Sequence, residues 1–248
     1  THTFTQDEYG ALSLAYAFMG FALIFYRYGM DTALMKYSVQ KEGLERKKYI
    51  TLIIVTQFIT SFLFTSIIYF TRLSTAEYVL GTYQPDWISY LAIILFFDAL
   101  WNLPLLILRS EEKAYPYIFL SLLNVILTMV LNVMFVVYWE QGIEGVFKAN
   151  IIASAFIFLV SLPIIIKRMV FDFFEKDIFF KVTQFALPFL PAGIFTMIME
   201  LSDRYLLEFY LSTAEVGLYS AGKKMGMLGL PIVMGFNMGW TPYFLKQG

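Results

Sequence analysis

The chain has 248 residues, of which 59% are apolar, 19% aromatic and 15% charged, with a mean hydropathy of +0.67 and a formal net charge of −1. That composition lies outside the range of soluble domains and places the chain in a membrane, while the charge balance excludes a nucleic-acid-binding protein, which needs a clustered basic excess. With no cysteine and a single histidine, His2, the sequence also excludes disulfides, thiolate nucleophiles and a histidine-built zinc site.

A helix needs about 20 consecutive apolar residues to cross a bilayer. In chain order, spans are expected near 11–35, 48–70, 87–108, 115–139, 146–166, 183–209 and 216–241. The first reaches its length only by including Arg27 and Asp31, the third only by including Asp98. A charge near the bilayer centre costs about 3 kcal/mol on insertion, which flanking apolar residues can outweigh. Alternate loops then collect Lys36, Lys41, Arg46, Lys47, Lys48, Arg109, Lys113, Lys167, Arg168, Lys176, Lys181 and Lys246, against Arg72 and the span-edge Lys148 in the others. By the positive-inside rule the first set is cytoplasmic, with residue 1 outside and residue 248 on the cytoplasmic side of an inner membrane. Tyr49, Tyr69, Trp87, Tyr90, Tyr115, Trp139, Trp240 and Tyr243 fall near span ends, as aromatic belts do.

Between the fifth and sixth spans, "KRMVFDFFEKDIFFKV" (167–182) sets Val170, Phe171, Phe174 and Ile178 near one helical face and Asp172, Glu175 and Lys176 opposite, with Asp177 and Lys181 blurring the pattern. It reads as a cytoplasmic interfacial helix acting as a hinge. The chain therefore divides into an N-terminal bundle (1–166), this linker (167–182) and the start of a C-terminal bundle (183–248). In the sixth span, "FALPFLPAGIF" carries Pro188 and Pro191 and predicts a bent helix. In the seventh, Gly222, Gly226, Gly229, Gly235 and Gly239 with Pro231 predict close helix approach or bending. The odd span count and the missing initiator methionine suggest a piece of a longer protein.

An ionisable side chain at membrane depth must face a partner or a wet cavity. Arg27, Asp98, Glu200, Asp203, Arg204, Lys223 and Lys224 are such residues. Arg27 with Asp31, and Glu200 with Arg204, have the i, i+4 spacing of a helical ion pair. That leaves Asp203 to meet Lys223 or Lys224 on the next helix, and Asp98 with no obvious local partner. A structural role and a transport role are both open for each, and snorkelling is open for the two lysines.

These residues also carry a resemblance. "DRYLLEFYLSTAEVGLYSAGKKMG" resembles the stretch joining the seventh and eighth helices of polysaccharide-export (O-antigen) flippases, "ALPFLPAGIF" that family's approach to its seventh helix, and "WTPYF" the end of its eighth. "DEYGALSLAYAF" and "RYGMDTALMKY" resemble its first outer loop and second helix. The family lies within the multidrug, oligosaccharidyl-lipid and polysaccharide exporter superfamily. The resemblance implies an all-α membrane protein with twelve to fourteen spans in two bundles, of which this chain supplies helices two to eight. It also implies movement of undecaprenyl-diphosphate-linked oligosaccharide to the outer leaflet by alternating access, with polysaccharide assembly proteins as partners.

Under that reading Arg27, Arg204, Lys223 and Lys224 contact the sugar diphosphate, since guanidinium forks match phosphate oxygens. Asp98, Glu200 and Asp203 tune the field or relay a coupling ion, H+ or Na+. No organic cofactor is expected, and no phosphate-cradling nucleotide loop is present. The alternatives are a cation-coupled multidrug exporter, a flippase for lipid-linked cell-wall precursors, and a membrane enzyme acting on lipid-linked sugars. The short loops speak against the last.

Overall fold

A computed structural model describes residues 6–80, 84–210 and 226–247, and every regular element among them is helical. The order is α1 (Gln6–Arg27), α2 (Met30–Gln40), α3 (Gly43–Phe70), α4 (Arg72–Leu80), α5 (Pro85–Ser110), α6 (Ala114–Asn132) running on into a π-helical segment (Val133–Tyr138), α7 (Gly142–Ile166), α8 (Lys176–Ala186), α9 (Phe189–Tyr210), a 3₁₀ turn (Met227–Gly229) and α10 (Leu230–Gln247). Among the described residues five stretches are long and apolar enough to cross a membrane: Gly43–Phe70, Pro85–Ser110, Ala114–Tyr138, Gly142–Ile166 and Lys176–Met199.

The bundle is built around α5, which packs against α7, α3, α2, α1 and α4. Its sequence explains this position, because apolar residues occur all round the helix and Ile88, Leu91, Leu95, Leu100 and Ile107 are almost completely buried. By contrast α6 keeps most of its apolar surface outward, with Phe119, Val125, Ile126 and Met129 all more than half exposed. In water such a surface would be an aggregation site; in a bilayer it is the lipid face.

Two expected spans are broken. The first is divided between α1 and α2 at Tyr28 (φ 28°) and Gly29 (φ 82°), and the carbonyls released there must be satisfied inside the protein. Gln57 of α3, 1% exposed, donates its side-chain amide to the Tyr26 carbonyl for this purpose. The sixth breaks at Leu187 and Pro188, between α8 and α9, as its prolines demand: neither Pro188 nor Pro191 has an N–H to continue the ladder.

The 167–182 segment departs from expectation. Residues 167–175 are irregular and helix begins only at Lys176. Part of the segment is tied back to the bundle: Lys48 pairs with Glu175 at 2.5 Å and the Val170 N–H donates to Thr51 Oγ1 at 3.0 Å, while Asp172, 3.7 Å from Lys48, stays exposed. The boundary aromatics also need revision, since Tyr49 (2% exposed) stacks on Tyr37 with ring centroids 4.5 Å apart and Trp87 (8%) packs on Phe147. Tyr69, Tyr115, Trp139, Trp240 and Tyr243 are the exposed ones. Of the seventh span, 216–225 lie outside the described residues. Gly226, Gly229, Gly235 and Gly239 meet no close neighbour, so the tight helix approach is made elsewhere, by Gly20, Gly29 and Gly193.

The basic loops converge at one end of the bundle around a single carboxylate. Glu111, in the α5–α6 turn, accepts from Arg168 Nε at 2.6 Å and from its Nη2, pairs with Arg46 at 3.2 Å, and pairs with Lys113 at 2.9 Å. The beginning of α3, the α5–α6 turn and the end of α7 therefore share one end, as alternating spans require. Burial pushes the Glu111 carboxyl up, but the Arg168 and Lys113 hydrogen bonds outweigh it and hold the group at about 2. Because the folded value lies below the ordinary 4.5, this stabilisation is complete above pH 4.5 and lost as pH falls toward 2. Glu111→Gln is expected to lower stability by about 2 kcal/mol at pH 7. In thermal unfolding scans, the gap between variant and parent should close over that acidic window; a gap independent of pH would remove Glu111 as the ionic tie.

Candidate functional site

The two broken spans meet at their breaks. A Cβ placed on Gly29 would lie 2.2 Å from the Ala186 carbonyl oxygen and 2.8 Å from Phe189 Cβ, so the left-handed turn of one span is seated against the interruption of the other. Beyond this contact α1 and α9 face each other through small residues: a Cβ on Gly20 would lie 2.9 Å from Met197 Cε, and one on Gly193 the same distance from Ile24 Cγ2.

Between these contacts lies an open cleft of about 430 Å³. One wall is the α1 stripe Gly20, Leu23, Ile24 and Arg27, continued by Asp31 and Thr32 at the start of α2; the other is the α9 stripe Phe189, Ala192, Gly193 and Thr196. The i, i+3, i+4, i+7 spacing on both helices gives each a single face toward the cleft. Both α2 and α9 begin there, so two helix N-termini with their partial positive charge border it. The Asp31 carboxylate takes the Thr32 N–H at 2.8 Å, offsetting part of that field at α2.

Arg27 is the cleft's cation. It is half-buried at the last turn of α1, and its Nε is buried without a hydrogen-bond partner. The expected Arg27–Asp31 ion pair does not form: the intervening left-handed turn ends the helical geometry that i, i+4 pairing requires. Arg27 instead lies near enough to act electrostatically on Asp98.

Asp98 is anchored on its own helix and its neighbour. Its Oδ1 accepts from Trp101 Nε1 at 3.0 Å and from Ser154 Oγ of α7 at 2.5 Å. Trp101, three residues on, is a local partner that the sequence reading lacked. Close by, Asn150 of α7 donates to Tyr16 of α1 at 3.1 Å, so a polar thread crosses α1, α5 and α7 beside the cleft.

Glu200, Asp203 and Arg204 lie on α9, beyond the stretch whose side chains are described, and Lys223 and Lys224 lie outside the described residues. The structure thus brings Arg27 and Asp98 into one neighbourhood. Missed in the sequence were the uncharged members, Gly29, Thr32, Gly193, Thr196 and the supporting Gln57; the helical spacing of small residues in "PAGIFT" was the available signal. Among the described residues no group of three or more His, Asp or Glu side chains could hold a metal ion.

A bundle of long apolar helices, two of them broken where they touch beside a polar cleft, defines a multi-pass membrane protein. Its particular affiliation follows from its relatives. The chain belongs to the polysaccharide biosynthesis protein family, which matches residues 1–247. It is 28% identical over 174 residues to a membrane protein of Haemophilus influenzae, covering 66% of this chain and 43% of that one. A second Haemophilus influenzae protein, from the Lsg locus, is 22% identical, with 97% and 59% covered.

Among solved structures, a crystal structure of a mutant MATE superposes with a TM-score of 0.78 at 18% identity, covering 98% of this chain and 59% of that chain. An outward-facing multidrug resistance MATE transporter of the MOP superfamily gives 0.75 at 17%, with 98% and 58% covered. The fold is accordingly that of MATE transporters, and the chain spans about half the length of the relatives it matches.

Proposed function

We propose that the full protein moves lipid-diphosphate-linked oligosaccharides across the membrane by alternating access, with the α1/α9 cleft forming part of the cargo path. The observation that carries this reading is Arg27, a guanidinium in an open cleft between two broken helices, with a buried Nε that has no partner. A diphosphate leaving water needs fixed cationic donors, and a guanidinium fork suits its oxygens. The family resemblance implies the same cationic role for Arg204, Lys223 and Lys224, and a field-tuning role for Glu200 and Asp203. Asp98, within reach of the Arg27 charge, is the residue proposed to answer a coupling ion. Under this reading the basic end around Glu111 faces the cytoplasm of an inner-membrane protein.

The hinge between the bundles is proposed at 187–189, and the polar ties of 167–181 support that placement. With Glu175 and Asp172 on Lys48, and the Tyr37 hydroxyl donating to the Lys181 carbonyl at 3.3 Å, α8 moves with the first bundle. The C-terminal bundle then pivots at 187–189, where α9 leaves the Gly29 seat.

The test places the full natural chain in liposomes and follows a lipid-diphosphate-linked oligosaccharide as it becomes accessible to a glycan-binding probe at the far leaflet. Protein-dependent exposure is expected. Extrusion of organic cations without any lipid-linked sugar transfer would instead establish the multidrug reading, for which Asp98 is the favourable feature.

A further inference from the structure

We infer that the groove between α6 and α10, at the Glu111 end of the bundle, is a binding site for an anionic phospholipid of the surrounding bilayer. The residues at its mouth set the chemistry. The three-residue turn Glu111–Lys113 joins two spans and so lies at a bilayer surface. Arg109 and Lys113 line the mouth with one carboxylate, Glu112, an excess of one positive charge, and Arg46 and Arg168 are held on nearby Glu111. Basic pockets between transmembrane helices at this depth suit acidic lipid headgroups.

Below the mouth the character changes. A groove of about 260 Å³ runs between Ala114, Tyr117 and Ile118 of α6 and Met238, Gly239 and Pro242 of α10, and its walls are almost wholly apolar. Arg109 forms the junction, bridging to α10 through the Asn237 carbonyl at 2.8 Å and Thr241 Oγ1 at 3.1 Å. Gly239 leaves open space where a side chain would otherwise stand. Ile118, Phe119 and Leu122 are more than half exposed on the same helix, so the groove continues into lipid-facing surface. Cations at the interface with an apolar channel leading into the hydrocarbon match a phospholipid's phosphate and one acyl chain. A soluble anion would leave the channel unfilled, and a zwitterionic lipid would leave the excess charge unmet.

The inference is independent of transport, and its test needs none. The detergent-purified full natural chain is titrated with dioleoylphosphatidylglycerol and with dioleoylphosphatidylcholine, and bound lipid is counted by native mass spectrometry. The anionic lipid is expected to bind about fivefold more tightly, the preference one extra interfacial cation supplies. Lys113→Gln should abolish that preference. Gly239→Leu and Ala114→Leu, which fill the groove from opposite walls, should each weaken binding of both lipids at least about fivefold. Equal affinity for the two lipids in the parent protein, or undiminished binding in a folded filling variant, would overturn the assignment and leave only annular lipid.

Discussion

Gly29→Ala is expected to destabilise the protein by about 3 kcal/mol, the largest effect of any single-methyl addition in the described bundle. Two penalties combine. At φ 82° any L-residue with a Cβ pays about 1–2 kcal/mol for the left-handed conformation. The new methyl would also sit 2.2 Å from the Ala186 oxygen and 2.8 Å from Phe189 Cβ, neither of which can rotate away because one is backbone and the other a β-carbon at a helix start. Forcing the seat open costs a further 1–3 kcal/mol or so.

A matched control separates these contributions. Gly43 has φ 54° and nothing within 4 Å of its added Cβ, so Gly43→Ala carries only the conformational penalty. In thermal unfolding followed by size-exclusion fluorescence, Gly29→Ala should lose considerably more stability than Gly43→Ala. Equal losses would show that the two breaks are not tightly packed, and the pivot at 187–189 would lose its structural basis.

What the sequence revealed and what it hid follow a physical division. Continuous apolar runs reported α3, α5, α6 and α7 well, because crossing hydrocarbon is a requirement each helix meets alone. Charge asymmetry among the loops reported correctly that Arg46, Arg109, Lys113 and Arg168 share an end, since alternation is a one-dimensional rule. Hydropathy could not see the break at Tyr28 and Gly29, whose cause is tertiary: Gly29 turns left-handed against Ala186, and Gln57, 31 residues beyond Tyr26, supplies the lost hydrogen bond. The Pro188 break was legible because proline carries its cause within itself.

The same division applies to the site. Arg27 and Asp98 stood out as charges in apolar company, whereas the cleft beside Arg27 is shaped by uncharged residues, its glycines, Ala192 and the two threonines among larger apolar side chains. The linker misled for a related reason. Its charges suggested a solvated helical face, and Asp172 is indeed exposed, yet 167–175 is not helical, Glu175 pairs with Lys48, and Arg168 belongs to Glu111. Amphipathic periodicity records which residues are polar, not whether water or another side chain answers them.

Arg27→Ala should reduce transfer of a lipid-diphosphate-linked oligosaccharide about a hundredfold, equivalent to roughly 2.7 kcal/mol in the transport barrier. That loss is the size expected for removing a charge-assisted, forked contact to the cargo's phosphate. Arg27→Lys keeps the charge and loses the fork, so it should recover part of the rate but not all of it. The competing explanation is that Arg27 serves only to neutralise Asp98, which its field reaches. The two are separated by a double-mutant cycle. If neutralisation were the whole role, Arg27→Gln combined with Asp98→Asn would restore transfer, because the carboxylate stays hydrogen-bond-compatible with Ser154 and Trp101 as an amide and no charge is left unmatched. If Arg27 holds the cargo's phosphate, the double variant regains stability in thermal scans while transfer remains low. Recovery of stability and transfer together would remove Arg27 from the cargo path and leave the cleft without its cationic contact.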